Sequence, residues 1–89
     1  MTIQIRRVIS VFDKKTTMRL TQTEWIILNH ICRQEKINRK KLLEMIEEKR
    51  DTALGLTPAV RLFSLLYLYN QTDGNTHPIT GIENIMDAM

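Results

Sequence analysis

Apolar and polar side chains alternate with period two through the first twenty residues and then recur at helical spacing, which predicts two strands followed by helices. In the first stretch, residues 3–12, Ile3, Ile5, Ile9 and Val11 fall on one side and Gln4, Arg6 and Ser10 on the other, with Val8 and Phe12 breaking the pattern. Asp13 and Lys14 then turn the chain into a second strand, without the glycine that tight hairpin turns favour. On that strand, residues 15–20, Lys15, Thr17 and Arg19 project from one face while Met18 and Leu20 project from the other. A polar, hydrogen-bonding face therefore backs onto an apolar one.

The switch to helix is written into the next residues. Thr21 can act as N-cap with Glu24 returning its hydrogen bond, and Leu20 can pack on Trp25, so a capping box and a hydrophobic staple coincide. From residue 22 to about 35, Trp25, Leu28, Ile31 and Cys32 form a core stripe, and Ile26 and Ile27 lie outside it and require another cover. The chain turns at Lys36 and Ile37. Asn38 is a good N-cap for a second helix reaching about residue 49, with Leu42, Leu43, Met45 and Ile46 inward and Ile37 stapled to Leu42.

Residues 51–56 read as a linker, after which Thr57 caps a third helix with Pro58 at its first position. That helix is apolar nearly all round, from Val60 and Leu62 to Tyr69, and this predicts burial on more than one side, against Ile26 and Ile27 and against a second subunit. Residues 70–78 read as a loop. In the tail, residues 79–89, Thr80 and Glu83 can box the start of a last short helix carrying Ile82, Ile85, Met86 and Met89 on one side. The organisation expected is one domain over residues 1–71 and a loop with a short tail over residues 72–89.

Size and charge sharpen the picture. A chain of 89 residues, 43% hydrophobic, buries only about 60–65% of its unfolded surface, so association would help it fold. The net charge of +3 is unevenly spread: residues 1–50 hold 12 Lys and Arg against 6 Asp and Glu, and residues 51–89 hold 1 against 4. The basic half is the natural surface for a polyanion, against the plain alternative of a solvated charged face. Arg39, Lys40 and Lys41 occupy the first three positions of the second helix, where the macrodipole disfavours cations. Either their long side chains swing into solvent or a phosphate sits at that helix N-terminus, and the neighbouring face of Lys15, Thr17 and Arg19 favours the phosphate.

A strand of alternating character, a capped helix, a tight turn and a second helix opening on a polar N-cap resemble the ribbon-helix-helix DNA-binding proteins, the class of the Arc and MetJ repressors. The likeness runs without a gap over residues 15–49. Continued through Leu56, Thr57, Pro58, Ala59, Val60, Arg61, Leu62 and Phe63, it is similar to a subfamily of short bacterial proteins with a preceding strand and an added third helix. The resemblance implies an α+β fold, an N-terminal strand or hairpin followed by three helices, in an intertwined homodimer whose paired strands enter the major groove. It further implies that Lys15, Thr17 and Arg19 read base edges, that the backbone near Asn38 and Arg39, with Lys40 and Lys41, grips phosphate, and that Met18, Leu20, Trp25, Leu28 and Leu42 pack a shared dimer core. The division suits the chemistry, since arginine bonds guanine bidentately and helix N-terminal contacts fix register without reading sequence. Where the family commonly has glycine between its helices this chain has Lys36, so a left-handed conformation there would carry strain. The strand of residues 3–12 either flanks the ribbon, adding Arg6 or Arg7 to the DNA surface, or blocks its groove-facing side.

Other chemistry is weakly represented. His30 and Cys32 point to different sides of a helix and share no metal, His77 has no partner spacing, and Glu44, Glu47 and Glu48 read as a solvated helix face. No catalytic residue, cofactor or metal is expected. The single cysteine forms no intrachain disulfide, and no apolar run approaches the roughly 20 residues of a membrane span, so a cytoplasmic, nucleoid-associated protein is the expectation. The rival reading is a protein-interaction module, an antitoxin-like or adaptor protein binding a partner through the helix of residues 57–70 or the tail of residues 79–89.

Overall fold

A computed structural model describes residues 3–71, 82–87 and 89. Strand β1 (Gln4–Val11) and strand β2 (Lys14–Thr21) form an antiparallel hairpin, followed by α1 (Gln22–Gln34), α2 (Arg39–Lys49), α3 (Leu56–Asn70) and a short α4 (Ile82–Asp87). The strand that the family resemblance pairs with its copy in a second chain is paired here with β1 of the same chain, in unbroken register from Gln4 opposite Thr21 to Val11 opposite Lys14. The hairpin turn falls at Phe12 and Asp13, one residue earlier than the pattern predicts. Both adopt positive φ, 49° and 65°. That is the geometry whose twist matches a two-residue hairpin, and here it is reached without glycine. The Phe12 amide donates to Glu44 Oε2 at 2.9 Å, so the strained turn is tied to α2. Glu44 is thus half-buried and engaged, a correction to its reading as solvated.

One face of the hairpin closes the core. Ile9, Val11, Met18 and Leu20 are buried with Trp25, Leu28, Ile31 and Cys32 of α1, Leu42, Leu43 and Ile46 of α2, and Ala59, Val60, Phe63 and Tyr67 of α3. Met18, Leu20, Trp25, Leu28 and Leu42 are already covered within one chain, none more than 3% exposed. Ile3, expected inward, precedes β1 and is 76% exposed.

The caps of α1 and α2 form as predicted: Glu24 N donates to Thr21 Oγ1 at 3.1 Å, Thr21 N to Glu24 Oε1 at 2.8 Å, and Lys41 N to Asn38 Oδ1 at 2.7 Å. Between these helices Lys36 takes φ 55°, the left-handed conformation that an L side chain makes costly by about 1–2 kcal/mol. The start of α3 differs from expectation. Gly55, not Thr57, is the N-cap, and it makes no side-chain bond; the helix begins at Leu56, which places Pro58 third. Nothing is lost there, because the third amide of a helix lacks an intrahelical acceptor anyway, and the two added residues bring Leu56 against the core.

Burial of α3 is one-sided. Leu65 and Tyr69 are 66% and 62% exposed, and Ile26 of α1, which needed a cover, is 58% exposed. On α4, Ile85 and Met86 are buried and Ile82 and Met89 half-buried against the chain's own core. The predicted Thr80 capping box lies outside the described residues, as does His77.

Candidate nucleic-acid interface

Because β1 and β2 pair in full register, alternation on each strand sums into two coherent faces. Gln4, Arg6, Val8 and Ser10 stand opposite Thr21, Arg19, Thr17 and Lys15 on the face turned away from the core. Lys15, Thr17 and Arg19 are all exposed on it, and so are Gln4, Arg6 and Val8. The first strand therefore flanks the second and leaves its polar row uncovered. Arg6 lies directly across from Arg19. Like charges in such a cross-strand pair destabilise a sheet, so folding alone does not account for this pairing.

The structure divides the two N-terminal arginines. Arg6 joins the outer row, whereas Arg7 carries its guanidinium over the Trp25 ring, 5.3 Å from the centroid. Arg39, at the first position of α2, lies over the same ring at the same distance. Trp25 in turn donates its indole N–H to the Ile5 carbonyl at 2.9 Å. These contacts place the N-terminus of α2 beside the β1 edge of the hairpin. They also add a reason for a cation at that position that the sequence did not show, since the indole face offsets part of the unfavourable dipole. Lys40 and Lys41 stay exposed next to Asn38.

On the other edge, α3 approaches β2. Arg61 donates from Nε to Glu24 Oε2 at 2.8 Å and from Nη2 to the Arg19 carbonyl at 3.3 Å. Partial burial works to raise the Glu24 carboxyl, but the Thr21 amide and the Arg61 guanidinium hold it below its usual range. The capping carboxylate thus also orients a cation at the ribbon's edge. An open cleft of about 430 Å³ lies there, lined by Gln4, Arg6, Thr17, Arg19, Thr57 and Arg61. Sequence reasoning missed Arg61 and Thr57 as site residues; the one available signal is that Arg61 is the single Lys or Arg in residues 51–89.

Burial pushes the Cys32 thiol up, which suits an inert core filler. Among the described residues, no group of three or more His, Cys, Asp or Glu is placed to hold a metal, and no helix is long and apolar enough to cross a membrane.

A family model described as Ribbon-helix-helix domain matches residues 4–68, from the first residue of β1 to near the end of α3. Comparison with curated proteins and with solved structures found no match.

Proposed function

The chain belongs to the ribbon-helix-helix family, whose members are generally DNA-binding regulators, not enzymes, and we propose that it is a sequence-specific transcriptional regulator that represses as a homodimer in the bacterial cytoplasm, at the nucleoid. The observation that carries the reading is the exposed outer face of the hairpin, where Lys15, Thr17 and Arg19 form one row and Arg6 a second. A two-stranded ribbon fits the major groove, arginine offers a bidentate partner to guanine, and threonine meets either a base edge or a thymine methyl. Asn38, Arg39, Lys40 and Lys41 hold backbone phosphate beside the β1 edge, with Lys40 and Lys41 supplying charge and the α2 amides fixing register. Arg7 supports this from below the ribbon by holding Trp25. Met18, Leu20, Trp25, Leu28 and Leu42 give each subunit the core on which a second copy builds.

A second reading, a protein-interaction module on the same fold, is favoured by one observation. Leu65, 66% exposed, lines an apolar groove of about 150 Å³ between α1 and α3 together with Ile27, Val60 and Leu68, and Ile26 and Tyr69 of the same two helices are also exposed. The α3 helix is then the docking element, and the tail serves through α4.

Titration against a pool of random duplex DNA at about 50 and 200 mM salt separates the two. Neutralising roughly 6–10 phosphates costs a factor of about 10³–10⁵ over that range, and sequencing the retained DNA yields a palindromic motif if the regulator is a dimer. A folded protein that retains no duplex at low salt refutes DNA binding and leaves the interaction module.

A further inference from the structure

We propose that the cleft between the hairpin and α3 is a phosphate-binding site that takes a backbone phosphodiester of the bound DNA, on the edge of the ribbon opposite the α2 N-terminus. The inference rests on the DNA-binding reading above and adds to it residues that neither the sequence pattern nor the family match assigns.

The cleft brings together three arginines from three elements, Arg6 of β1, Arg19 of β2 and Arg61 of α3, with the hydroxyls of Thr17 and Thr57 and the amide of Gln4; no carboxylate lines it. Two of those arginines are the directly opposed cross-strand pair. An anion held by Arg61 and Thr57 at the cleft's edge lies in the field of that pair and offsets its repulsion, while the pair's guanidinium forks stay free for base edges. The third is already immobilised by Glu24 and the Arg19 carbonyl, so a ligand there need not order a long side chain. Glu24 neutralises part of Arg61 from outside the lining, and Arg6 and Arg19 keep the cleft cationic.

The first turn of α3 adds to this without carrying it. Its N-cap glycine gives no side-chain bond, its first turn holds no acidic residue, and Thr57 lines the cleft. The ribbon is then flanked on both edges, by α2 beside β1 and by α3 beside β2, as the two phosphate backbones flank a major groove.

The decisive variant is Thr57→Asp. A carboxylate in the first turn favours the helix and repels phosphate, so binding falls while folding holds; Thr57→Asn is the uncharged control. Full-length protein is titrated with its selected duplex at several salt concentrations, and separately with inorganic phosphate while the Thr57 amide and Arg61 Nε signals are followed by NMR. The expected result is affinity roughly tenfold weaker for every sequence, a log K against log salt slope shallower by about 1, and saturable phosphate shifts that Thr57→Asp abolishes. A Thr57→Asp protein that binds duplex like the wild type, with the same slope, overturns the cleft and leaves DNA binding standing. Phosphate shifts in a wild-type protein that binds no duplex overturn the DNA source and make this a site for free phosphate. Neither shifts nor duplex binding removes both readings.

Discussion

The two faces of one hairpin show how the same backbone serves two ends. On the inner face Met18 and Leu20 of β2 are buried in the core shared with the helices and are 1% and 0% exposed, while Lys15, Thr17 and Arg19, one residue out of phase, touch solvent. The inner row is held by burial and tolerates little change. The outer row contributes little to folding and, in the Arg6 and Arg19 pair, works against it. Stability and the proposed recognition are thus separated by a single residue step, which makes them separable by mutation.

The largest effect should come from the inner row. Leu20→Ala removes a fully buried side chain from the core and should cost about 2–5 kcal/mol, read as a lower midpoint in chemical denaturation. A loss below 1 kcal/mol would mean that the hairpin does not close the core.

A polar group on the core side gives the next effect. Burial first, and then the Glu35 carboxylate that accepts the Tyr67 hydroxyl proton at 2.7 Å, push the Tyr67 phenol up to about 12. Its folded-state value lies above the unfolded one, so the stability it contributes is full below about pH 10 and is lost as pH rises through about 12. The loss amounts to about 2–3 kcal/mol. Denaturation followed from pH 9 to pH 12 should show that decline, and Tyr67→Phe should remove it.

The outer row should respond in the opposite sense. Arg19→Ala should leave the unfolding midpoint within about 0.5 kcal/mol of wild type, yet lose about 1–3 kcal/mol of discrimination at one base position. A variant that unfolds early, or keeps its full preference, would break the separation of the faces. Smallest of all is the joint behind them. Lys36→Gly relieves the left-handed strain but frees the unfolded chain, for a net gain of about 0.5 kcal/mol in stability and no change in binding.

What was legible in the sequence follows the reach of its interactions. Strand alternation, the Thr21 and Glu24 box and the Asn38 cap each join residues at most four apart, so their geometry is set by the local chain, while the strain at Lys36 was legible only through the glycine that the resembled family commonly has there. The turn at Phe12 and Asp13 was displaced by one residue because cross-strand register, not turn propensity, set its place. The onset of α3 was misplaced because burial of Leu56 outweighed a favourable cap at Thr57.

By itself, then, the sequence determined the ribbon and its two-faced character, the order of helices and the residues of the outer row, since periods of 2 and 3.6 assign faces without tertiary information. Only the tertiary structure decided the register of β1 on β2, that Arg7 and Arg39 meet on Trp25 while Arg6 meets Arg19, and that Arg61 closes a basic cleft with residues more than 35 positions away. Those juxtapositions depend on how whole elements pack, and packing is settled by the shared core rather than by any local run of residues.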